Sequence, residues 1–516
     1  MRKFTLFVLK KIHNIAAITG TILIIYFMVR AGFIVFANYS LVERLFGGFL
    51  FIGETYILIH TFGFILSVFE IKEEYKIKEP DNYDLAEYPF VAVIVAARHE
   101  PKQVLQETFI TIRNLKYPKK NIYLLDDSSE KKFIDEADEI AKKLGVTVFR
   151  RAERHGAKAG IVNDFIRQMD EKYIAVFDAD QNPMPGFLTK TVYYLEQDDK
   201  LAFVQTPQFY TNLYAGPIAK AATIQQAIFY EVICEGKSIN NAMFCCGTNV
   251  VFRKSALDKV GGFDEKNITE DFATSVKLHA NGYKSLYLNH VSAFGMAPES
   301  LPEYFKQQNR WASGTISVFR SLLQMFIRNP FCLSPIQWWE YFLAGTYYFI
   351  GWGFFLLMIS PISFLLFSIP SYFIKPAFYI GVFLPYFVLS LGIFYTVMMR
   401  RNYRFREIYI GTIMGMLSFP VLMKAAVFGL INKRMTFVVT AKGKADNMPF
   451  FRLWPYHVMI VLNISAVAYG INRIYFGEDP YALSVNIFWA LYHLFILSHI
   501  YFLNRTPKAK LIYEQV

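Results

Sequence analysis

The chain has 516 residues, 54% of them hydrophobic, a formal net charge of +12 and four cysteines. So apolar a composition excludes an ordinary soluble enzyme, and the long apolar runs make Lys and Arg sorted to one side of a membrane a better account of the charge than nucleic acid, which is not expected as a partner. Cys245 and Cys246 are adjacent, which speaks against a disulfide framework and for reduced thiols on the cytosolic side.

In chain order, the basic residues Arg2, Lys3, Lys10 and Lys11 precede an apolar run at 15–36, broken by Arg30, and a second at 47–69 that carries Glu54 and His60. Each run is long enough for a bilayer core, which takes about 20 residues. No cleavable signal peptide is expected. Ionisable groups inside a span are either functional or part of a polar face packed on other helices, and both readings stand for Glu54 and His60. From 70 to about 301, short apolar runs at 91–97, 122–126, 146–149, 173–178, 202–205, 249–252 and 285–288 alternate with amphipathic stretches. That alternation predicts an α/β domain with a mostly parallel sheet covered on both faces, binding its ligands at the carboxyl ends of the strands. Beyond QQNRW at 307–311, spans are expected at 341–367 and 377–399, then a basic amphipathic helix lying in the interface at 400–433 and a polar loop at 434–448. Spans at 454–474 and 481–503 follow, then Arg505, Lys508 and Lys510. The predicted architecture is a Rossmann-like α/β domain (76–300) inserted between an N-terminal region with two spans (1–75) and a C-terminal region with four (301–516). With an even number of spans, all the basic segments fall on one side, which places both termini and the α/β domain in the cytosol of a multi-pass plasma-membrane protein.

Several motifs have the residue types for chemistry. Asp126 and Asp127 end IYLLDD, and Asp178 and Asp180 end AVFDAD. Carboxylates two apart at a strand end suit Mg²⁺ or Mn²⁺ completed by phosphate oxygens, although Asp also forms turns after strands. Two acidic sites on neighbouring strands favour the metal. GAKAGIVND at 156–164 permits close backbone approach to a phosphate, with Lys158 as a point charge; it reads equally as a surface turn with a solvated Lys. TED (Thr269, Glu270, Asp271) offers a carboxylate that accepts a proton from an attacking hydroxyl, or an N-cap with acids in the first turn. In QQNRW, Arg310 offers a planar fork for a diphosphate, Gln307 an amide for hydroxyls and Trp311 a flat face for a pyranose ring; an Arg and an aromatic on an interfacial helix also serve as membrane anchors. QTPQFY (205–210) and FCCGTN (244–249) are turns that say little by themselves. FVVTAKGK (437–444) places Thr440 and Lys442 where they could touch a nucleotide diphosphate, or is simply a positive-inside loop.

Taken together, DD, KAG, DAD, QTP, CGT, TED, QQNRW and FVVTAK occur in an order that resembles processive inverting family-2 glycosyltransferases, cellulose synthases most closely. The resemblance implies a GT-A domain, a UDP-sugar donor (UDP-glucose first), a growing polysaccharide acceptor, and Mg²⁺ or Mn²⁺ on Asp178 and Asp180. It makes Asp271 the base, with Glu270 and Asp180 in the catalytic set. It assigns the nucleotide to Glu100, Asp126 and Asp127, and the diphosphate to Lys158, Asp178, Gln307 and Arg310. Trp311 stacks under the acceptor sugar, Cys246, Gly247 and Thr248 line its site, and a loop with Phe437, Thr440 and Lys442 closes over the donor. Trp338, Trp339, Tyr347 and Tyr348 would form an aromatic track through the spans, or else anchor the interface. AARHE stands where the family shows a turn ending in P-T-Y-N-E, with Glu100 in register, and CGT replaces C-G-S. No PilZ domain follows the last span, so no cyclic di-GMP control is expected. Other readings are a hyaluronan-, chitin- or poly-N-acetylglucosamine-like synthase, a single-sugar transferase to lipid, and a non-catalytic transporter. Oligomeric state is not legible.

Overall fold

The computed structural model describes residues 12–36, 40–71, 80, 82–370, 376–431 and 447–505. Among them, six helices are long and apolar enough to cross a membrane: Ile12–Phe36, Leu41–Glu70, Pro335–Phe367, Ala377–Arg400, Phe450–Tyr475 and Pro480–Leu503. All coincide with expected spans. The third starts six residues early, because Ser334 and Gln337 form a reciprocal cap and Pro335 opens the helix. In the first two spans Arg30 donates to Glu54 at 2.8 Å, and Tyr26 donates to the same carboxylate. Glu54 therefore belongs to a polar face packed between helices.

The segment expected to lie as one interfacial helix is instead two, Phe405–Leu417 and Phe419–Leu430, bent by 49°. The first presses Gly411 against Ile224 of the Pro217–Ile228 helix, and the second presses Gly429 against Ile316 of the Leu301–Arg328 helix. Ile408, Met414 and Leu417 on one half and Leu422, Ala425 and Ala426 on the other are all buried. With both halves clamped between helices, the segment has no single apolar stripe to lay on a lipid surface. Phe437, Thr440, Lys442 and most of the 434–448 loop lie outside the described residues, as do Arg2, Lys3, Lys10, Lys11, Lys508 and Lys510.

Between the second and third spans the chain forms β1 (Val91–Ala97), β2 (Lys120–Asp126), β3 (Thr147–Phe149), β4 (Tyr173–Asp178), β5 (Asn182–Pro183), β6 (Leu201–Gln205), β7 (Phe209–Tyr210), β8 (Val250–Arg253), β9 (Lys284–Tyr287) and β10 (Ala293–Gly295). Seven make one sheet in the order β3-β2-β1-β4-β8-β6-β9. The seven apolar runs of the sequence are these seven strands. All neighbours pair in parallel except β8, which runs antiparallel to β4 and β6. Val91, Val93 and Val95 face one side with Phe109 and Leu124, while Ala92 and Ile94 face the other with Ile161 and Phe165, so the strand is buried on both faces. The small sheet β5-β10-β7 was not foreseen, since strands of two or three residues carry no periodicity.

Chain order reverses at β1, which leads to β2 on one side and pairs with β4 on the other. Such a switch point opens a crevice at the carboxyl ends of the strands. Ala97 pairs with Asp126 and Ala96 with Asp178, so both acidic motifs reach this edge. They are not on neighbouring strands as expected; β1 separates them.

Candidate active site

Four segments converge where β4 ends. Lys158, on the first turn of the Ala157–Ile166 helix, ion-pairs with Asp178 and donates to the carbonyl of Gly247 at 2.8 Å. The hydroxyl of Thr248 accepts from the Asp178 N–H at 2.9 Å. Asp178 is thereby held by backbone and side chain. Lys158 points inward rather than into solvent, contrary to the surface-turn reading. Thr248 is fully buried, so it positions Asp178 and does not line an acceptor surface as expected.

Gly247 has φ +82°, and a β-carbon built on it would sit 2.9 Å from Asp271 Oδ2. The turn is tied to the TED helix, Glu270–Ala280, through Ser275, which accepts from Cys245 N–H and donates to Asp271 O, each at 2.8 Å. Thr269 occupies the N-cap position, but its hydroxyl makes no capping bond and is buried without a partner. The N-cap reading therefore fails for Thr269, although the acids do stand in the first turn.

Behind the two carboxyls is a cavity of about 10 Å³ walled by Val162, Val176, Cys245, Phe252 and Phe263. Burial in this apolar wall, and then the Asp271 charge, push Glu270 up to about 7 against the pull of Lys158. Burial likewise raises Asp271 to about 6, with Asp178 adding to the rise while the Phe272 N–H and Lys158 oppose it. Burial disfavours the Lys158 charge, but Asp178 and Glu270 outweigh it and hold the ammonium above its ordinary range. Burial, and then Cys234, raise the Cys246 thiol, which excludes it as a thiolate nucleophile at neutral pH.

QQNRW lies on the Leu301–Arg328 helix, opened by a Ser300–Glu303 capping box. Gln307, Arg310, Trp311 and Gly314 share one face at helical spacing. That face docks on TED, where a β-carbon on Gly314 would lie 2.6 Å from Thr269 Cγ2. Gln307 lies near the Tyr210 hydroxyl, and Asp180, Asp178 and Arg310 are within electrostatic range of that oxygen. DAD and QQNRW are thus brought together across β7. Tyr348 of the third span is within electrostatic range of Asp271, Cys246 and Tyr304, so this part of the span faces the TED side of the α/β domain. Trp338 is instead buried, donating to Pro330 O at 2.7 Å and stacked on Phe342, and Trp339 is half-buried with its ring edge-on to Phe62. Trp338 and Trp339 therefore take the helix-packing alternative, and Tyr347 and Tyr348 are the remaining candidates for an aromatic track.

Two residues of QTPQFY, to which the sequence assigns no role, belong to this arrangement. Tyr210 lies between Gln307 and the charges of Asp178 and Asp180. Gln205, fully buried, accepts from Cys246 N–H at 2.9 Å and donates to Thr206 O and Thr248 O at 2.8 Å. The available signal was a polar residue closing the apolar strand LAFVQ.

Asp126 is buried and accepts from Ser128 N–H at 3.0 Å and Arg150 Nε at 2.8 Å. Asp127 takes a two-pronged contact from Arg151 and one from Arg154, all at 2.9 Å. Burial acts to raise the Asp127 carboxyl, but these guanidiniums prevail and hold it below its ordinary value. The DD acids are therefore engaged in fastening the arginine loop after β3. Glu100 sits in the turn after β1 beside His99, whose N–H donates to Ser128 Oγ at 3.0 Å.

Asp178 and Asp180 fit a hard divalent cation. The Asp178 side chain is 43% exposed at the open strand end, and among the described residues no group of three His, Cys, Asp or Glu forms an all-protein cage. One or two carboxylates with the remaining positions left for phosphate oxygens and water is the Mg²⁺ pattern.

Residues 89–314 match Glycosyltransferase like family 2, a stretch that runs from β1 to the Gly314–Thr269 contact. The UDP-forming cellulose synthase catalytic subunit of Pseudomonas fluorescens is 29% identical over 479 residues, 89% of this chain and 62% of that one. The chain is thus similar to family-2 glycosyltransferases over residues 89–314 and to cellulose synthases over most of its length. A UDP-forming cellulose synthase from Dictyostelium discoideum is 33% identical over 259 residues, 47% of this chain and 23% of that one. The chain spans less than two thirds of the length of these curated relatives. Its fold is shared with a mannosyltransferase from Pyrobaculum calidifontis, solved in complex with GDP-Man and Mn²⁺, at a TM-score of 0.51 and 19% identity, over 75% of this chain and all of that one. The fold class expected from the sequence, a GT-A α/β domain set between membrane spans, is the one found.

Proposed function

We propose that the chain is a membrane-embedded processive glycosyltransferase that polymerises UDP-glucose into a β-glucan with inversion and passes the product through its own spans. The observation that supports this reading is that Asp271, against the Gly247 turn, is also within electrostatic range of Tyr348 in the third span. On this reading the proton acceptor lies near the entrance to the membrane region.

In the proposed step, a hydroxyl oxygen at the non-reducing end attacks the anomeric carbon from the face opposite the diphosphate. The bond from that carbon to the UDP oxygen breaks, its electron pair leaves with UDP, and the hydroxyl proton passes to Asp271. Inversion follows from attack opposite the leaving group. Gln307 and Arg310 hold the diphosphate, and Lys158 keeps Asp178 and the Gly247 turn in place. Trp311 stacks under the acceptor ring. Glu100 and the DD edge, with Asp127 acting through Arg151 and Arg154, border the nucleotide. Phe437, Thr440 and Lys442, which lie outside the described residues, complete the donor-binding set in this reading. Asp178 and Asp180 would hold Mg²⁺ or Mn²⁺ beside the donor diphosphate, where the ion would neutralise charge on the leaving group. The distribution of Lys and Arg supports a cytosolic α/β domain and cytosolic termini at the plasma membrane, in contact with lipid.

The test is the protein in lipid nanodiscs supplied with a panel of UDP-sugars, scored by UDP release and by linkage analysis of any polymer. A β-glucan from UDP-glucose, dependent on Mg²⁺ or Mn²⁺, is expected. Polymer from UDP-N-acetylglucosamine alone moves the chain to a chitin-like synthase. A single-sugar lipid product, or no UDP release from any donor, overturns the reading.

A further inference from the structure

We propose that Tyr56 and His60 of the second span are positioning residues for the polymer track: they hold a break in the third span that sets Tyr347 and Tyr348 at the tunnel mouth. This rests on the polymerase reading above.

The third span is not one continuous α-helix. Pro335–Thr346 gives way to a single 3₁₀ turn, Tyr347–Phe349, before Ile350–Phe367 resumes. Three residues at 3.0 per turn advance about 60° further than at 3.6, so the break rotates everything after it. It also loosens carbonyls from the helical ladder, and in a bilayer a loosened carbonyl needs a partner on another helix.

The second span supplies those partners. The Tyr56 hydroxyl lies 2.9 Å from Thr346 O and 2.7 Å from Tyr347 O, and His60 Nε2 lies 3.2 Å from Leu343 O. The two rings are tilted against each other with centroids 4.3 Å apart. Gly53, Tyr56, Ile57, His60 and Gly63 recur at three- and four-residue spacing, one face of the helix. β-Carbons on Gly53 and Gly63 would lie 2.7 Å and 2.5 Å from the side chains of Leu356 and Leu343. The face therefore grips the third span on both sides of its break, in the small-residue manner of membrane helices.

The consequence reaches the site. Tyr347 remains 53% exposed in an apolar span, its ring 5.2 Å from that of Tyr348. Tyr348 packs against Ala312, the neighbour of Trp311 in sequence, with Leu422 and Ala425, and lies within electrostatic range of Asp271. A straight helix would change by about 60° the rotation between the parts of the span on either side of these rings.

The experiment compares wild type, Tyr56→Phe, His60→Leu, His60→Gln, Tyr347→Ala and the Tyr56→Phe/Tyr347→Ala double variant in nanodiscs with UDP-glucose, reading UDP release and polymer length. Tyr56→Phe and His60→Leu should shorten the polymer by about threefold or more, the factor for roughly one neutral hydrogen bond, with the donor KM unchanged. His60→Gln, whose amide can still donate to Leu343 O, should restore length. The double variant should make polymer no shorter than Tyr347→Ala alone, because Tyr56 acts through Tyr347. Wild-type length in Tyr56→Phe and His60→Leu, or further shortening in the double variant, overturns the inference by itself. A wild-type enzyme that releases UDP without making polymer overturns the polymerase reading and this inference with it.

Discussion

Asp271 Oδ2 lies 2.9 Å from the point where a β-carbon on Gly247 would stand, and Gly247 has φ +82°. Gly247→Ala therefore meets two penalties at one position. A left-handed backbone conformation costs a non-glycine residue about 1–3 kcal/mol, and the methyl displaces the carboxylate. The expected outcome is a folded but less stable protein whose UDP release falls at least about 100-fold, the lower bound for losing a placed general base. Thermal unfolding and UDP release on the same preparation check this, and near-normal turnover would remove the Gly247–Asp271 contact from the mechanism.

Asp271→Asn keeps the shape of the side chain and removes its basicity. UDP release should drop by about 10²–10⁴ while UDP binding stays within a few-fold of wild type, because the change touches the proton acceptor and not the Gln307–Arg310 face. Isothermal titration with UDP, run beside the turnover assay, separates the two. Equal losses in binding and turnover would mean that Asp271 supports the pocket rather than the proton transfer.

The raised carboxyls set a pH dependence. Asp271 acts only when ionised, and burial lifts it to about 6 with Glu270 at about 7 beside it. Activity should thus be full above about 7 and fall as the pH drops through 7 to 6, where an ordinary Asp would still be charged. Glu270→Gln removes the neighbouring negative charge, so the acid limb should move to lower pH. A profile of kcat/KM against pH for the two proteins shows the direction; an unmoved or upward-shifted limb counts against the pair.

Gln205 joins Cys246, Thr206 and Thr248 through one buried amide. Gln205→Leu fills the space but leaves an N–H and two carbonyls without partners, at about 1–3 kcal/mol for each buried group. Gln205→Glu should be at least as damaging, since an ionised carboxylate cannot donate to either carbonyl. Both variants should unfold at lower temperature than wild type, measured by dye-monitored melting in detergent; unchanged melting would show the turn to be held by other bonds.

Why was the role of Gln205, the first residue of QTP, unreadable in the sequence while that of Asp271 stood out? The seven strands of the main sheet showed because each is a short apolar run bounded by turn residues, and the spans showed because a bilayer demands length and apolarity together. DAD, TED and QQNRW showed because their chemistry is in the residue types. Gln205 and Tyr210 have ordinary residue types, and their role lies in partners more than 40 residues away for Gln205 and about 100 for Tyr210. The arginines on Asp127 come from beyond β3, and the turn they fasten cannot be inferred from IYLLDD. The bend at Ser418 did have a local signal, Pro420 in the first turn of the second half, whereas the break at Tyr347 has no proline and no glycine within it.

Thr248 shows how far such second-row contacts reach. Its hydroxyl is the acceptor for the Asp178 N–H at 2.9 Å, and Asp178 is one of the two carboxylates assigned to the divalent ion. Thr248→Val is close to isosteric, so the backbone stays while the Asp178 amide loses its partner. Outer contacts that orient a metal ligand are typically worth 10–100-fold in affinity. The Mn²⁺ concentration for half-maximal UDP release should therefore rise by about tenfold or more in Thr248→Val and return toward wild type in Thr248→Ser, which keeps the oxygen. Chelation should silence all three proteins, and added Mn²⁺ should restore them in that order of sensitivity. Should Thr248→Val titrate like wild type, Asp178 is oriented by Lys158 alone, and the buried hydroxyl has no part in holding the ion.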